Sequence, residues 1–126
     1  MTDKEMTVFI VDDDKSILRS MRRLMRSAGY RNIETFASAE DFLNDAHIVP
    51  HSILILDLLL SGMGGIELFR RLREKGLAID TVFISAREQE LEKARTECPE
   101  AIAFLQKPFD IENLLTAVHS ISGADT

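Results

Sequence analysis

The side chains in this chain that could do chemistry share one position, because each stands at or just after the end of an apolar run. They are Asp12, Asp13, Asp57, Ser85 and Lys107. Short apolar runs rich in β-branched and aromatic residues are typical of strands buried on both faces of a parallel sheet. The carboxyl ends of such strands meet at one edge, where open α/β sheets bind their ligands. The spacing therefore predicts one site that combines acids, a hydroxyl and an amine.

Three adjacent carboxylates, Asp12, Asp13 and Asp14, follow the first apolar run. Neighbouring carboxylates repel one another, so their clustering needs a physical reason. One of them, Asp13 or Asp14, could cap the following helix, and the helix dipole would favour a second negative charge near its N-terminus. Three acids are less easily explained in this way. A bound divalent cation explains the cluster better, because hard cations prefer carboxylate oxygens as ligands.

Asp57 ends the apolar run that begins at Ile53, and a loop with Gly62, Gly64 and Gly65 follows it. A carboxylate inside such a run would be costly if it stayed buried and unpaired. We therefore expect the strand to end at Asp57. The glycines permit positive φ angles and a close approach of the backbone to a ligand.

Each of these residues also has a purely structural interpretation. Taken singly, Asp57 is as well explained as a strand cap, Ser85 as a strand-end hydroxyl and Lys107 as a surface lysine. A chance match at the ends of four predicted strands is much less probable than any single match. The set as a whole therefore favours a functional site.

Apolar runs alternate with helical patterns along the chain, and this alternation predicts a doubly wound α/β domain with a parallel sheet and helices on both faces. The predicted strands are 7–11, 33–36, 53–57, 81–85 and 101–105. The predicted helices are 15–28, 39–46, 66–75, 88–97 and a last one that is capped by Asp110 and ends near Ile121. The residues of the last helix expected to face inward are Ile111, Leu114, Leu115 and Val118. The helix over 88–97 has the weakest apolar face, so we expect it to move most readily.

The composition limits the classes of function. With 126 residues the chain has room for one core, and we assign residues 1–121 to one domain and 122–126 to a linker or tail. The net charge of −6 argues against direct binding of nucleic acid, which requires a basic surface. The single cysteine, Cys98, excludes an internal disulfide and fits a reducing compartment. No signal peptide or membrane-spanning stretch is visible, so we expect a cytoplasmic protein with no membrane partner.

With these motifs the sequence resembles the receiver domains of bacterial response regulators over residues 8–121. The resemblance rests on ValAspAspAsp at 11–14, Asp57 after its apolar run, Ser85-Ala86, and Lys107-Pro108-Phe109. It implies a flavodoxin-like (βα)5 fold whose five-stranded parallel sheet has the order 2-1-3-4-5. The segment SerAlaGluAspPheLeu at 38–43 is similar to regulators of the nitrogen-fixation type, which carry a DNA-binding output domain.

The resemblance implies that Asp57 accepts a phosphoryl group from a phosphohistidine on a sensor histidine kinase or a phosphotransfer protein. It implies that Asp13 and Asp57 bind Mg²⁺ directly, with Mn²⁺ as a substitute. Asp12 would bind the ion through water, and the backbone carbonyl of Leu59 would complete the protein ligands. An ionised carboxylate is a competent nucleophile, and a divalent cation offsets its repulsion from the phosphoryl oxygens.

The resemblance also implies how the phosphoryl group becomes a signal. Lys107 would contact the phosphoryl oxygens as a point charge and Ser85 as a hydrogen-bond donor. Ser85 and Phe104 would then switch a surface formed by the fourth helix, fifth strand and fifth helix. That surface would pair with a second copy or with an output domain, absent from this chain, that regulates transcription. We expect no enzymatic activity beyond slow self-catalysed dephosphorylation, because Leu59 can neither orient nor activate the attacking water.

Three positions depart from the family pattern. Leu60-Ser61 replaces a common Met-Pro pair, CysProGluAla at 98–101 replaces small residues, and Phe104 lacks the usual hydroxyl. We expect the loss of the proline to free the loop after the third strand, although Gly62, Gly64 and Gly65 can still shape it. We also expect a cis peptide bond at Lys107-Pro108, which would turn the lysine back toward the phosphoacceptor.

Three alternatives compete with a phosphorylated switch that controls an output domain. A phosphatase with an aspartate nucleophile would have a second acid two residues after it, where this chain has Leu59. A stand-alone receiver would act by protein–protein interaction or as a step in a phosphate relay. An interaction module that is not phosphorylated would be expected to lack one of the acids or the lysine, and all of these are present.

Overall fold

A computed structural model of the chain describes residues 5–121, in which strands and helices alternate. The strands are β1 (Thr7–Val11), β2 (Asn32–Phe36), β3 (Ser52–Asp57), β4 (Asp80–Ser85) and β5 (Ala103–Gln106). The helices are α1 (Lys15–Ser27), α2 (Ala39–Asp45), α3 (Gly65–Glu74), α4 (Glu88–Glu97) and α5 (Ile111–Ile121). The strands are parallel in the order β2-β1-β3-β4-β5, which confirms the predicted (βα)5 flavodoxin-like fold. The predicted tail at 122–126 lies outside the described residues.

Successive residues of the central strands point to opposite sides of the sheet, and helices cover both sides, so both faces are buried. In β1, Phe9 and Val11 belong to the cluster covered by α2, α3 and α4, whereas Val8 and Ile10 belong to the cluster covered by α1 and α5. Every residue of β3 is buried, including Asp57 at its end. Each helix within residues 5–121 is too short or too polar to span a bilayer.

One predicted boundary and one predicted core residue are wrong. β5 begins at Ala103 rather than at Ala101, because a turn in which the Ala101 N–H donates to the Cys98 carbonyl at 3.1 Å precedes the strand. Ile111 was expected to face inward but is 54% exposed, because the packed stripe of α5 begins one turn later at Leu114. The other predicted bounds differ from the structure by at most one residue.

The start of α1 settles which of the three adjacent acids caps a helix. The Asp14 carboxylate accepts hydrogen bonds from the backbone N–H groups of Ser16 at 2.9 Å and Ile17 at 3.4 Å. These bonds satisfy donors that the first turn of a helix leaves without an intrahelical partner. Capping therefore accounts for Asp14 and leaves Asp12 and Asp13 for another role.

Candidate functional site

Strand register brings the predicted site residues to one edge of the sheet. The register of β1 with β3 places Asp12 and Asp57 at the same level on adjacent strands. The register of β3 with β4 places Ser85 one residue beyond Asp57. The backbone N–H of Lys107 donates to the Ser85 carbonyl at 2.8 Å, which ties the end of β5 to the end of β4. Three strand ends and the residue after β5 thus meet as the sequence predicts.

Lys107 is the cation at the centre of this edge. Its Nζ donates to Asp12 Oδ2 and to Asp57 Oδ2, both at 3.0 Å. The side chains of Lys107, Asp12 and Asp57 are 19%, 0% and 7% exposed, respectively. Salt screens buried pairs much less than exposed ones, so this interaction persists at physiological ionic strength. Loss of the lysine would leave two buried carboxylates without their cation, which is a costly state.

The second oxygen of each buried acid is held by a backbone N–H group. Asp12 Oδ1 accepts from the Asp14 N–H at 2.9 Å, and Asp57 Oδ1 accepts from the Leu59 N–H at 3.0 Å. Both carboxylates are therefore fixed at each end of the carboxyl group. A carboxylate held in this way is preorganised for chemistry at a defined position.

Asp13 differs from the other two acids because it is exposed. Its Oδ2 accepts hydrogen bonds from the Ser61 backbone N–H at 3.4 Å and from the Ser61 hydroxyl at 3.2 Å. Ser61 belongs to residues 58–64, which connect β3 to α3 and are called the 58–64 loop below. The loop that follows the phosphoacceptor candidate thus reaches across to the loop that follows β1.

The 58–64 loop is also held from α2, through the backbone of Met63. The Glu40 carboxylate accepts from the Met63 N–H at 2.9 Å, and this bond is the main reason that the pKa of Glu40 is lowered. Gly62 has a φ of 76°, and a Cβ at that position would lie 2.6 Å from Glu40 Oε2. Hydrogen bonds of Ser61 and Glu40 hold this loop at the position where a proline is common in the family.

Gly65 serves a different purpose from Gly62. A Cβ on Gly65 would lie 2.7 Å from the backbone carbonyl oxygen of Asp57, although its φ is not in the left-handed region. The first residue of α3 therefore has to be glycine for the helix to start this close to the end of β3.

Burial and charge act in opposite directions on the pKa values of the site. Burial raises the pKa of Asp57, although the Leu59 N–H and the Lys107 ammonium act to lower it. Burial alone would lower the pKa of Lys107, but its hydrogen bonds to Asp12 and Asp57 outweigh that effect and leave the pKa raised. The Leu59 N–H and the Lys107 ammonium thus favour the ionised form of Asp57 against the effect of burial.

The three acids suit a divalent cation. Asp12, Asp13 and Asp57 each offer one carboxylate oxygen, and these oxygens lie within 4.8 Å of one another. Carboxylate oxygens are the ligands that Mg²⁺ prefers, and one lysine does not neutralise three carboxylates. The donor set therefore fits the ion that the resemblance implies. Leu59 lies beside these acids, since its N–H binds Asp57.

The two predicted switch residues lie on neighbouring strands. Ser85 is fully buried, and its hydroxyl accepts from the Arg87 N–H at 3.1 Å. Phe104 is half-buried and stacks on Phe83, with 5.8 Å between ring centroids. The Arg95 guanidinium of α4 lies over the Phe104 ring at 5.6 Å. Phe104 therefore joins the sheet to α4, whereas Ser85 joins it to the segment that leads into α4.

Sequence reasoning missed two residues that organise the site, Ser61 and Glu40. Their contacts span 48 and 23 residues of the chain, and no local pattern reports such contacts. The one sequence signal for Ser61 is that it replaces a common proline and so adds a backbone N–H and a hydroxyl, both of which can donate hydrogen bonds. The predicted cis bond at Lys107-Pro108 is confirmed.

The comparison with known proteins agrees with this geometry. The model of the response regulator receiver domain family matches residues 8–119. The chain belongs to this family. Receiver domains are the switch domains of response regulators in two-component systems.

Similar full-length proteins are response and transcriptional regulators. The response regulator protein TmoT of Ectopseudomonas mendocina is 38% identical over 95% of this chain and 54% of its own length. The transcriptional regulatory protein TdiR of Thauera aromatica is 34% identical over 94% of this chain and 52% of its own length. The receiver domain thus spans about half the length of the curated relatives it matches.

Solved structures show the same fold. The response regulator StyR superposes with a TM-score of 0.85 at 39% identity, over 95% of this chain and 60% of that one. FixJ-N superposes with a TM-score of 0.83 at 28% identity, over 94% of each chain. FixJ-N is thus matched along nearly its full length, whereas StyR extends beyond the matched region.

Proposed function

We propose that this receiver domain is a phosphoacceptor and that Asp57 receives its phosphoryl group from a sensor histidine kinase or a phosphotransfer protein. The observation that carries the proposal is the arrangement at the sheet edge, where Lys107 binds Asp57 and Asp12 at 3.0 Å and Asp13 lies beside them. Family membership supports it. The exchange would take place in the cytoplasm, which suits the free and buried Cys98.

In the transfer, an oxygen of Asp57 would form a bond to phosphorus while the phosphorus–nitrogen bond of the donor breaks and the nitrogen keeps the electron pair. The carboxylate and the phosphoryl oxygens repel each other, so the site has to supply positive charge. Lys107 already lies 3.0 Å from Asp57 and supplies it with little reorganisation. Asp13, Asp57 and the Leu59 carbonyl would hold Mg²⁺, or Mn²⁺ in its place, with Asp12 acting through water, and the ion would add further neutralisation.

Ser85 is suited to sense the phosphoryl group. Among the described residues its hydroxyl makes one hydrogen bond, as the acceptor from the Arg87 N–H, so its own proton is available for a phosphoryl oxygen. A movement of Ser85 toward the phosphoryl group would displace Arg87, which is hydrogen-bonded to Ser85 and precedes α4. That helix buries two side chains, Leu91 and Ala94, and a shift of the helix would carry the signal away from the site.

The output surface we propose consists of α4, β5 and α5. Ile102, before β5, is 41% exposed, and Ile111, at the start of α5, is 54% exposed. Phe104 lies between them on β5 and would turn as α4 moves. The surface would pair with an output domain that regulates transcription or with a second copy of the domain, since TdiR is a transcriptional regulatory protein.

The phosphatase alternative lacks a residue it needs. The position two residues after Asp57 is Leu59, which offers the site a backbone N–H but no acid. We therefore propose that any loss of phosphate from Asp57 is slow and self-catalysed. Leu59 carries no group that could position an attacking water in line with the phosphorus.

Acetyl phosphate tests the proposal. The protein is incubated with acetyl phosphate and Mg²⁺, and its intact mass is measured before and after hydroxylamine treatment, with Asp57→Ala as the control. We expect one phosphoryl adduct on the parent protein, its removal by hydroxylamine, and no adduct on Asp57→Ala. A full adduct on Asp57→Ala would disprove the assignment of Asp57, and a parent protein that takes up no phosphoryl group would disprove the function.

A further inference from the structure

Ser61 makes the contact that holds the exposed acid of the site. Its backbone N–H and its hydroxyl both donate to Asp13 Oδ2, at 3.4 Å and 3.2 Å. The two residues are 48 positions apart in the chain, so the contact exists only in the folded domain. It joins the 58–64 loop to the loop that carries two of the acids.

The three acids differ in how firmly they are held. Asp12 and Asp57 are buried and are each bound by a backbone N–H on one oxygen and by Lys107 on the other. Asp13 is exposed, and the hydrogen bonds that the structure gives its carboxylate come from Ser61. An unrestrained carboxylate would lose rotamer freedom on binding an ion, and that entropy loss weakens binding.

The two hydrogen bonds from Ser61 go to the same oxygen of Asp13. Oδ2 is occupied by both donors, whereas Oδ1 accepts no hydrogen bond from the described residues. One oxygen of Asp13 is thus available to an ion while the other stays bound to Ser61. A ligand carboxylate that is itself hydrogen-bonded in this way is a recurrent feature of protein metal sites.

The position of Ser61 is fixed independently of Asp13. Met63, two residues later, donates its N–H to the Glu40 carboxylate at 2.9 Å. Gly62 between them takes a φ of 76°, which lets the chain pass close to Glu40. Ser61 therefore lies on a loop anchored to α2, and it can restrain Asp13 rather than merely follow it.

We propose that Ser61 is a positioning residue for the divalent cation site, because it presents Asp13 in the orientation that the ion requires. The inference rests on the proposed function, in which the acids bind Mg²⁺. Ser61 contacts neither the ion nor the phosphoryl group in this role. Its effect is on the affinity of the site for the ion.

Calorimetric titration of the domain with Mg²⁺ tests the inference. Ser61→Ala removes the hydroxyl and keeps the backbone N–H, so we expect its affinity for Mg²⁺ to fall roughly fivefold, the entropic cost of ordering one side chain on binding. Ser61→Thr keeps a hydroxyl and should bind within about twofold of the parent protein by the same reasoning. Ser20 is exposed on α1, and Ser20→Ala is the matched control that should bind Mg²⁺ like the parent. The melting temperatures of the ion-free variants should be unchanged, since the hydrogen bond is on the surface.

Two results overturn the role of Ser61. One is that Ser61→Ala binds Mg²⁺ as tightly as the parent or more tightly, which would mean that the hydrogen bond competes with the ion. The other is that Ser61→Thr loses as much affinity as Ser61→Ala. Either result leaves the proposed function standing if the parent still binds Mg²⁺ and is phosphorylated. A parent that binds no Mg²⁺ overturns the proposed ion site and the role of Ser61 together.

Discussion

Among single residues, Asp57 carries a charge that its surroundings both oppose and support. Burial, the largest influence, raises its pKa from the ordinary value of 3.8, so the folded domain binds this proton more tightly than the unfolded chain does. Its contribution to stability is therefore fully present below the unfolded pKa and is lost as the pH rises through the folded pKa. At neutral pH the ionised Asp57 is a cost that the fold retains for function.

Asp57→Asn should remove that cost, because the amide keeps the shape of the side chain but does not ionise. Without divalent cations we expect this variant to melt at a higher temperature than the parent at neutral pH. The difference should shrink as the pH falls toward 3.8, where the parent carboxyl is protonated as well. Thermal melts over a pH series measure this, and a gain that grows in acid would contradict the explanation.

Lys107 has the opposite role, since it stabilises two buried carboxylates. Without Mg²⁺, Lys107→Gln should lower the free energy of unfolding by about 2 kcal/mol. This loss is smaller than that expected on breaking a fully buried ion pair, because the Lys107 side chain is 19% exposed. Mg²⁺ should restore part of the loss, because an ion at Asp12 and Asp57 replaces the missing charge. The measurement is urea unfolding with and without Mg²⁺, and Lys93→Gln on the exposed side of α4 is the control. An equal loss with and without Mg²⁺ would show that Lys107 acts through packing alone.

At the scale of elements, the start of α3 determines where Asp57 stands. Gly65→Ala would place a Cβ 2.7 Å from the Asp57 carbonyl oxygen, so the helix or the strand end has to move. We expect a loss of about 1–3 kcal/mol in the free energy of unfolding. Gly64→Ala is a matched control, because its Cβ would lie 3.6 Å from the Leu58 carbonyl oxygen. Urea unfolding measures both variants, and equal stability of Gly65→Ala and Gly64→Ala would refute the steric argument.

Most elements could be predicted from the sequence because their patterns are local. Buried strands such as β3 show as apolar runs, and parallel strands align their ends, so the meeting of Asp57 with Lys107 followed from topology. The contacts of Ser61 and Glu40 could not be predicted, because they depend on how two loops and a helix approach each other in space. The exposure of Ile111 also escaped prediction, since a helical period does not tell where along α5 the packed stripe begins.

At the scale of the whole domain, the sheet connects the acid edge to the proposed output surface. β3, β4 and β5 are adjacent, so Asp57, Ser85 and Phe104 lie on three consecutive strands. Phe104 has no hydroxyl, so an inward position of its ring leaves no buried polar group unsatisfied. We therefore expect the inward state to be populated already before phosphorylation, with the phosphoryl group adding a modest further bias.

Ser85→Ala should separate phosphorylation from signalling. The variant keeps Asp57 and Lys107, so it should still accept a phosphoryl group, but it lacks the hydroxyl that would draw the start of α4 toward the phosphoryl oxygen. Beryllofluoride mimics the phosphoryl group, and sedimentation with and without it should show association of the parent protein that is weaker in Ser85→Ala. Hydrogen exchange should show the activated parent changing between residues 86 and 105, the segment from the end of β4 into β5. If Ser85→Ala associates as strongly as the parent, or if neither protein changes state and exchange in that segment is unaffected, the signal does not pass through Ser85.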